Sequence, residues 1–367
     1  MTTLTVEPPA LSAYADQVDR VRFDSTVING YIAKNAEGGT GGELFSFAQE
    51  GNLQALQTIE NTFTRLQCLL EASAPELRSA AAYYRETVHA AATSLDQALP
   101  SNLGQCPTAL EQEIAANACE PGLFRDSRAP ENHLLPPGEP PNSPNKFAFM
   151  DYISPASWLM KGLDVIFGFD PIAELQNKMF GDWEIFAKMP EVLANASAAL
   201  HDTAANLQSG ATQLGDRWQG NAGGSAYQYF SNLATAMDGI RPSLEEIGRS
   251  YRTMSDAVWA AGEAIGGTLK AMIDAAIISA MAFYAGTATA ASGVGLGVGY
   301  TLAAVQAANV LKLWADTMKF VQNANAAIMA FRAALNQGLS DLESVEMPVL
   351  GGGAGYDHPL AGAGARA

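Results

Sequence analysis

Two matched apolar stripes on either side of one tight reversal set the strongest limit on how this chain can fold. Before Trp218-Gln219-Gly220, residues Phe186, Met189, Leu193, Ala196, Leu200, Thr203, Leu207, Ala211 and Leu214 recur at spacings of three and four. After it, Ala226, Phe230, Leu233, Met237, Ile240, Leu244, Ile247, Tyr251, Met254 and Val258 repeat the pattern. Side chains three and four apart share one helical face, so each arm carries a single stripe. Gly220, with Asn221, Gly223 and Gly224 behind it, supplies the permissive backbone needed to end one helix and reverse. The spacing predicts an antiparallel helical hairpin over residues 186–258. Trp218 is expected at its exposed tip, packed across the start of the second helix.

No stretch alternates with period two, and alanine is abundant, so the whole chain reads as all-α. The expected architecture is a set of antiparallel helical hairpins forming an elongated four-helix-type bundle, plus a C-terminal hydrophobic helical hairpin. Residues 1–99 form the first hairpin. Its opening helix carries Leu11, Tyr14, Val18 and Val21, and Gly38 to Gly42 makes the turn. The second arm carries Leu53, Leu56, Ile59, Phe63, Leu66 and Leu70, and Pro75 is expected to kink or interrupt it. Residues 100–153 are a proline-rich connector that either packs along a surface or separates two modules. Residues 154–262 hold the central hairpin, and residues 263–346 an Ala/Gly-rich hydrophobic helical region. Residues 347–367 are a Gly-rich tail too poor in apolar bulk to fold.

Helix, Trp-x-Gly turn, helix, at this length, resembles the WXG (ESAT-six-like) superfamily of type VII secretion substrates. The opening Leu4-Thr5-Val6-Glu7-Pro8, followed by Leu11, is similar to the small ESX secretion-associated proteins, a likeness covering residues 4–98. Trp158-Leu159, Gly168-Phe169-Asp170-Pro171, Gly181-Asp182-Trp183 and Trp218-Gln219-Gly220 come in the order seen in the N-terminal regions of actinobacterial type VII polymorphic toxins. The resemblance implies that Trp218 and Gly220 serve secretion and recognition. It implies as partners the type VII secretion machinery (an ATPase or chaperone) and a helical hairpin partner protein or a second copy of the chain. The export motif of these families, Tyr-x-x-x-Asp/Glu, is not intact here. Tyr83 is followed four residues on by Thr87 and Tyr84 by Val88, so Tyr83, Tyr84 and Glu86 make at best a degenerate export signal.

A net charge of -17 argues against nucleic acid as a partner, since phosphate attraction needs clustered Lys and Arg. The opening MTTLTVEPPALSAYADQ has neither a basic nor an apolar segment of a Sec signal, so export to the medium or cell envelope is expected by another route. Cys106 and Cys119 are close enough in sequence for a disulfide if the protein is exported, and unpaired thiols at this spacing are equally common. Cys68, among Leu66, Leu69 and Leu70, reads as a buried apolar residue. The four histidines are isolated and no CxxC or HxxxH occurs, so no metal and no cofactor are expected. No Gly-x-Ser-x-Gly, HExxH or P-loop is present, and the expectation is a protein that is not an enzyme.

Residues 275–311 carry no charged side chain and contain Gly293, Gly295, Gly297 and Gly299. The favoured reading is a buried hairpin whose glycines let two backbones approach. The alternative is conditional insertion into a membrane. The leading function is an exported type VII substrate or effector that binds protein or membrane. The alternatives are a membrane-active, pore-like protein using residues 271–311, or a cytosolic chaperone or scaffold for a type VII toxin.

Overall fold

A computed structural model of the chain describes residues 4–99, 107–116, 123–140, 167–288, 295–348 and 356–359. The fold is all-α and built of helical hairpins. α1 (Pro8–Ala36) starts on two prolines, whose fixed φ suits a first helical turn, and buries Leu11, Tyr14, Val18, Val21, Ile28 and Ile32 along one side. Gly38 and Gly39 take φ of 103° and 90°, a region closed to most side chains, and turn the chain into α2 (Glu43–Glu86). Pro75 does not interrupt α2 as expected. Ala74 and Leu77 beside it are fully buried, and continuous packing along the face offsets the lost helical hydrogen bond. The break comes later, at Thr87, before α3 (His89–Gln97).

α4 (Ala109–Ala116) and the segment around Phe124 belong to the expected connector, and they pack rather than separate modules. Leu110 and Phe124 are buried, with the Phe124 ring 5.7 Å from Tyr14. The fully buried Asn206 side chain accepts from Ser127 N and Arg128 N at 3.0 Å each and donates to the Arg128 carbonyl at 2.9 Å. Arg20 holds Asp126 at 2.6 Å. Residues 107–116 and 123–140 of the connector therefore lie as straps over the seam between the hairpins.

α5 (Pro171–Met179) begins as its sequence predicts, with Asp170 capping Ile172 N and Ala173 N and Pro171 in the first turn. α6 (Glu184–Arg217) and α7 (Asn221–Ala288) form the central hairpin. Every residue of both predicted stripes is buried. α7 spans ~100 Å at the helical rise and runs unbroken past residue 262, where a domain boundary was expected, because nothing there ends the helix. α8 (Gly295–Glu343) returns along α7 and reaches α2.

The two hairpins share one core, with α1 packed on α6 and α2 on α8. Gly210 makes the first contact feasible, since a Cβ there would lie 2.0 Å from Gln17 Oε1 and 2.5 Å from the Tyr14 ring. Across the same seam Tyr14 donates to the Leu207 carbonyl at 3.2 Å, and Gln17 to the Asn206 carbonyl at 3.1 Å. β1 (Thr5–Val6) pairs antiparallel with β2 (Trp218–Gln219), with Val6 opposite Trp218. This pairing ties the N-terminus to the central reversal, a link the periodicity could not reveal.

Candidate functional site

The reversal is not an exposed tip. Trp218 is 1 % exposed and sits in an aromatic cluster drawn from three distant parts of the chain. Tyr84 meets it edge-on with ring centroids 5.8 Å apart, and Tyr83 meets Tyr84 at 5.1 Å. His358 lies flat on the indole at 5.6 Å, its plane tilted by 26°. Two sequence-predicted features, the Trp-x-Gly turn and the degenerate tyrosine signal, thus meet in one place. Glu86 stands apart on the exposed end of α2.

His358 belongs to the tail that was expected not to fold. Tyr356 and His358 are each 1 % exposed, so the tail packs at residues 356–359. Tyr356 packs its ring against Tyr229 and Phe230 and donates its backbone N–H to Ser73 Oγ at 3.0 Å. Ser73 Oγ in turn sits 3.1 Å from Tyr229 OH. The sequence did hold a signal, since Tyr356-Asp357-His358-Pro359 is a bulky cluster within a tail of small residues. Burial pushes the His358 imidazole down to about 4 and raises the Tyr84 phenol. His358 Nε2 lies 3.4 Å from Tyr84 OH, and its Nδ1 is buried without a hydrogen-bond partner among the described residues. The ring is therefore held neutral in an apolar site.

Gly220 has φ 127°, and a Cβ on it would lie 2.7 Å from Asp96 Oδ2. Asp96, from α3, is fully buried and accepts from Asn221 N at 3.0 Å and Ala222 N at 2.9 Å. These are orphan donors at the start of α7, so a residue far away in sequence supplies that helix's cap. Asn221 answers through its amide, which donates to the carbonyls of Asp96 and Leu99. Glycine is required at position 220 both by the backbone and by Asp96.

At the other end, α7 and α8 pair beyond the bundle as an apolar arm. The favoured expectation of a buried hairpin fails on its outer side: Met281 is 59 %, Tyr284 72 % and Val305 62 % exposed, and Ile278, Leu302 and Leu311 are also exposed. The inner side pairs as expected, burying Met272, Ala275, Ala276, Ala282 and Val310. The bundle simply ends before the arm does. Gly295, Gly297 and Gly299 fall in the first turns of α8, while Gly293, Cys106, Cys119 and Trp158 lie outside the described residues. Cys68 is exposed rather than buried, because it projects from the side of α2 opposite Leu66 and Leu70.

Polar side chains elsewhere serve packing. His201 bridges Asp238 at 2.7 Å and Glu113 at 3.1 Å, joining α4, α6 and α7. Glu111 caps Thr108 and accepts from Tyr227. No family model, curated protein or solved structure matches the chain.

Proposed function

We propose that this protein is an exported type VII secretion substrate that acts by binding and not by chemistry, in the medium or at the cell envelope. One observation carries the reading: two helical hairpins in a single chain pack stripe against stripe, and the Trp218-Gln219-Gly220 turn meets Tyr84 of the first hairpin, with Tyr83 packed behind it. Hairpin proteins with such turns need a partner to cover their stripes, and here the chain covers its own. The secretion ATPase or a dedicated chaperone is the partner this reading requires.

Culture fractionation with and without a working type VII ATPase tests it. The protein should reach the medium or envelope only when the ATPase works. Retention in the cytosol in both strains would reject export and leave the chaperone or scaffold reading. Light scattering on the purified chain adds a second test, in which the internal bundle requires a folded monomer. An obligate dimer held through residues 186–258 would sink it.

A further inference from the structure

We propose that the charge-free stretches of α7 (residues 275–288) and α8 (residues 295–311) insert side by side into a lipid bilayer, entering and leaving on the same face. The inference goes beyond the export reading, because an exported protein could bind any target.

Four observations point to lipid rather than to another protein surface. First, the charges stop at one level. Lys270 and Asp274 on α7, and Lys312 and Asp316 on α8, flank a stretch without a single ionised side chain. Second, the length fits. The rise from Lys312 back to Gly295 is ~25 Å, against a hydrocarbon core of about 30 Å. Third, an aromatic group stands at the border. Phe167 and Phe169 pack on Trp314 with ring centroids 5.6 and 5.7 Å away, two residues beyond Lys312. Aromatic rings and lysines are the side chains that favour the level of the lipid headgroups.

Fourth, two hydroxyls within the arm are bonded inside it, as a hydrocarbon surrounding demands. Ser279 Oγ donates across the hairpin to the Ala303 carbonyl at 3.1 Å, and Thr287 Oγ1 to the Tyr284 carbonyl at 2.7 Å. Gln306 and Asn309 occupy the two turns nearest Lys312, where water and headgroups still reach. The outward side chains include Ile278, Met281, Phe283, Leu302 and Val305, with Tyr284 as an aromatic carrying a polar tip. The apolar window of α7 long enough to cross a membrane is only 28 % buried within the protein. The described parts of the arm, residues 275–288 and 301–311, are thus paired with each other and mainly apolar outside.

The test is flotation of the full chain with vesicles of phosphatidylcholine and phosphatidylglycerol at 3:1 (on the order of 100 nm across), compared with Met281→Glu/Val305→Glu. Both positions are exposed, so the pair should melt with the wild type. Two charges placed in the hydrocarbon should lower vesicle partitioning on the order of 100-fold. Phe23→Glu, on the exposed side of α1 far from the arm, should float like the wild type. The proposal is overturned if the wild type stays in the soluble fraction, or if the double variant floats undiminished. It is equally overturned if the pair instead dissolves a dimer without changing lipid binding, which would make this face a contact between two copies.

Discussion

His358 stacks on Trp218, so the tail at residues 356–359 covers the turn in the middle of the central hairpin. The stack joins positions 140 apart in sequence (358 − 218) and buries an imidazole whose ring neighbours among the described residues are Tyr83, Tyr84 and Trp218. Docking of the tail is therefore coupled to the protonation of one residue.

The sign follows from the direction of the shift. The folded-state value, about 4, lies below the ordinary 6.5, so the neutral ring favours the docked state. That stability is complete above pH 6.5 and is lost as pH falls toward 4, to a total of about 3 kcal/mol. Hydrogen exchange at the Tyr356 amide, corrected for its intrinsic rate, should quicken between pH 7 and pH 5. His358→Phe should remove the pH dependence while keeping the stack. A Tyr356 amide protected equally at both pH values would rule out the coupling.

Trp218→Ala should unfold the bundle more readily. Expected at an exposed tip, the indole is instead among the largest fully buried side chains. Truncating a buried aromatic of this size costs about 3–5 kcal/mol. Urea titration should show it directly, and Trp218→Phe should recover more than half of the loss. Any secretion defect of the alanine variant must then be weighed against its lower stability, so the phenylalanine variant is the better probe of recognition.

Gly220 and Asp96 should behave as one unit. Gly220→Ala places a side chain at positive φ, at a cost of about 1–3 kcal/mol. Asp96→Ala leaves the Asn221 and Ala222 amides buried without an acceptor, at a similar cost of about 1–3 kcal/mol. The Cβ at 220 collides with the same carboxylate, so the double variant should cost less than the sum by about 0.5–3 kcal/mol. Strict additivity in a urea cycle would refute the contact.

Cys68 should react with a thiol reagent in the native protein at close to the rate of a free thiol. Its position on the exposed side of α2 makes this a quick check of the helix's rotation. Protection until the protein is denatured would mean that α2 is turned toward the sequence expectation.

The contrast between these positions explains what the sequence could and could not reveal. Phe186 through Leu214 and Ala226 through Val258 were legible because a buried stripe leaves a period in one continuous segment. Cys68 was misread because three leucines surround it in sequence, yet only Leu66 and Leu70 point inward while Leu69 sits at the edge. Asp96 and His358 left no local trace. Each acts on the turn from a remote segment, and a cap or a stack between such segments has no spacing to detect. The outward face of the arm was missed for a related reason: composition records that residues 275–311 are apolar, but not where the covering helices stop.

Tyr251 and Asn52 fix the register between α7 and α2, and the last prediction isolates that role. The Tyr251 hydroxyl donates to Asn52 Oδ1 at 2.7 Å, with both residues fully buried. Around them the contacts are Phe186, stacked 6.4 Å from Tyr251, and Phe331 at 4.9 Å. A slide of either helix by one turn would keep apolar packing but leave both polar groups without partners. Tyr251→Phe strands the Asn52 carbonyl and should cost about 1–3 kcal/mol. Asn52→Leu strands the hydroxyl and should cost a similar amount. Together they leave an apolar contact of similar shape, so the double variant should recover at least half of the summed loss. It should also show a broader unfolding transition, because among the described buried polar pairs that join α7 to α2 only Ser73 with Tyr229 then penalises a slipped register. A double variant as sharply cooperative as the wild type would mean that the surrounding rings and the Ser73–Tyr229 pair set the alignment without it.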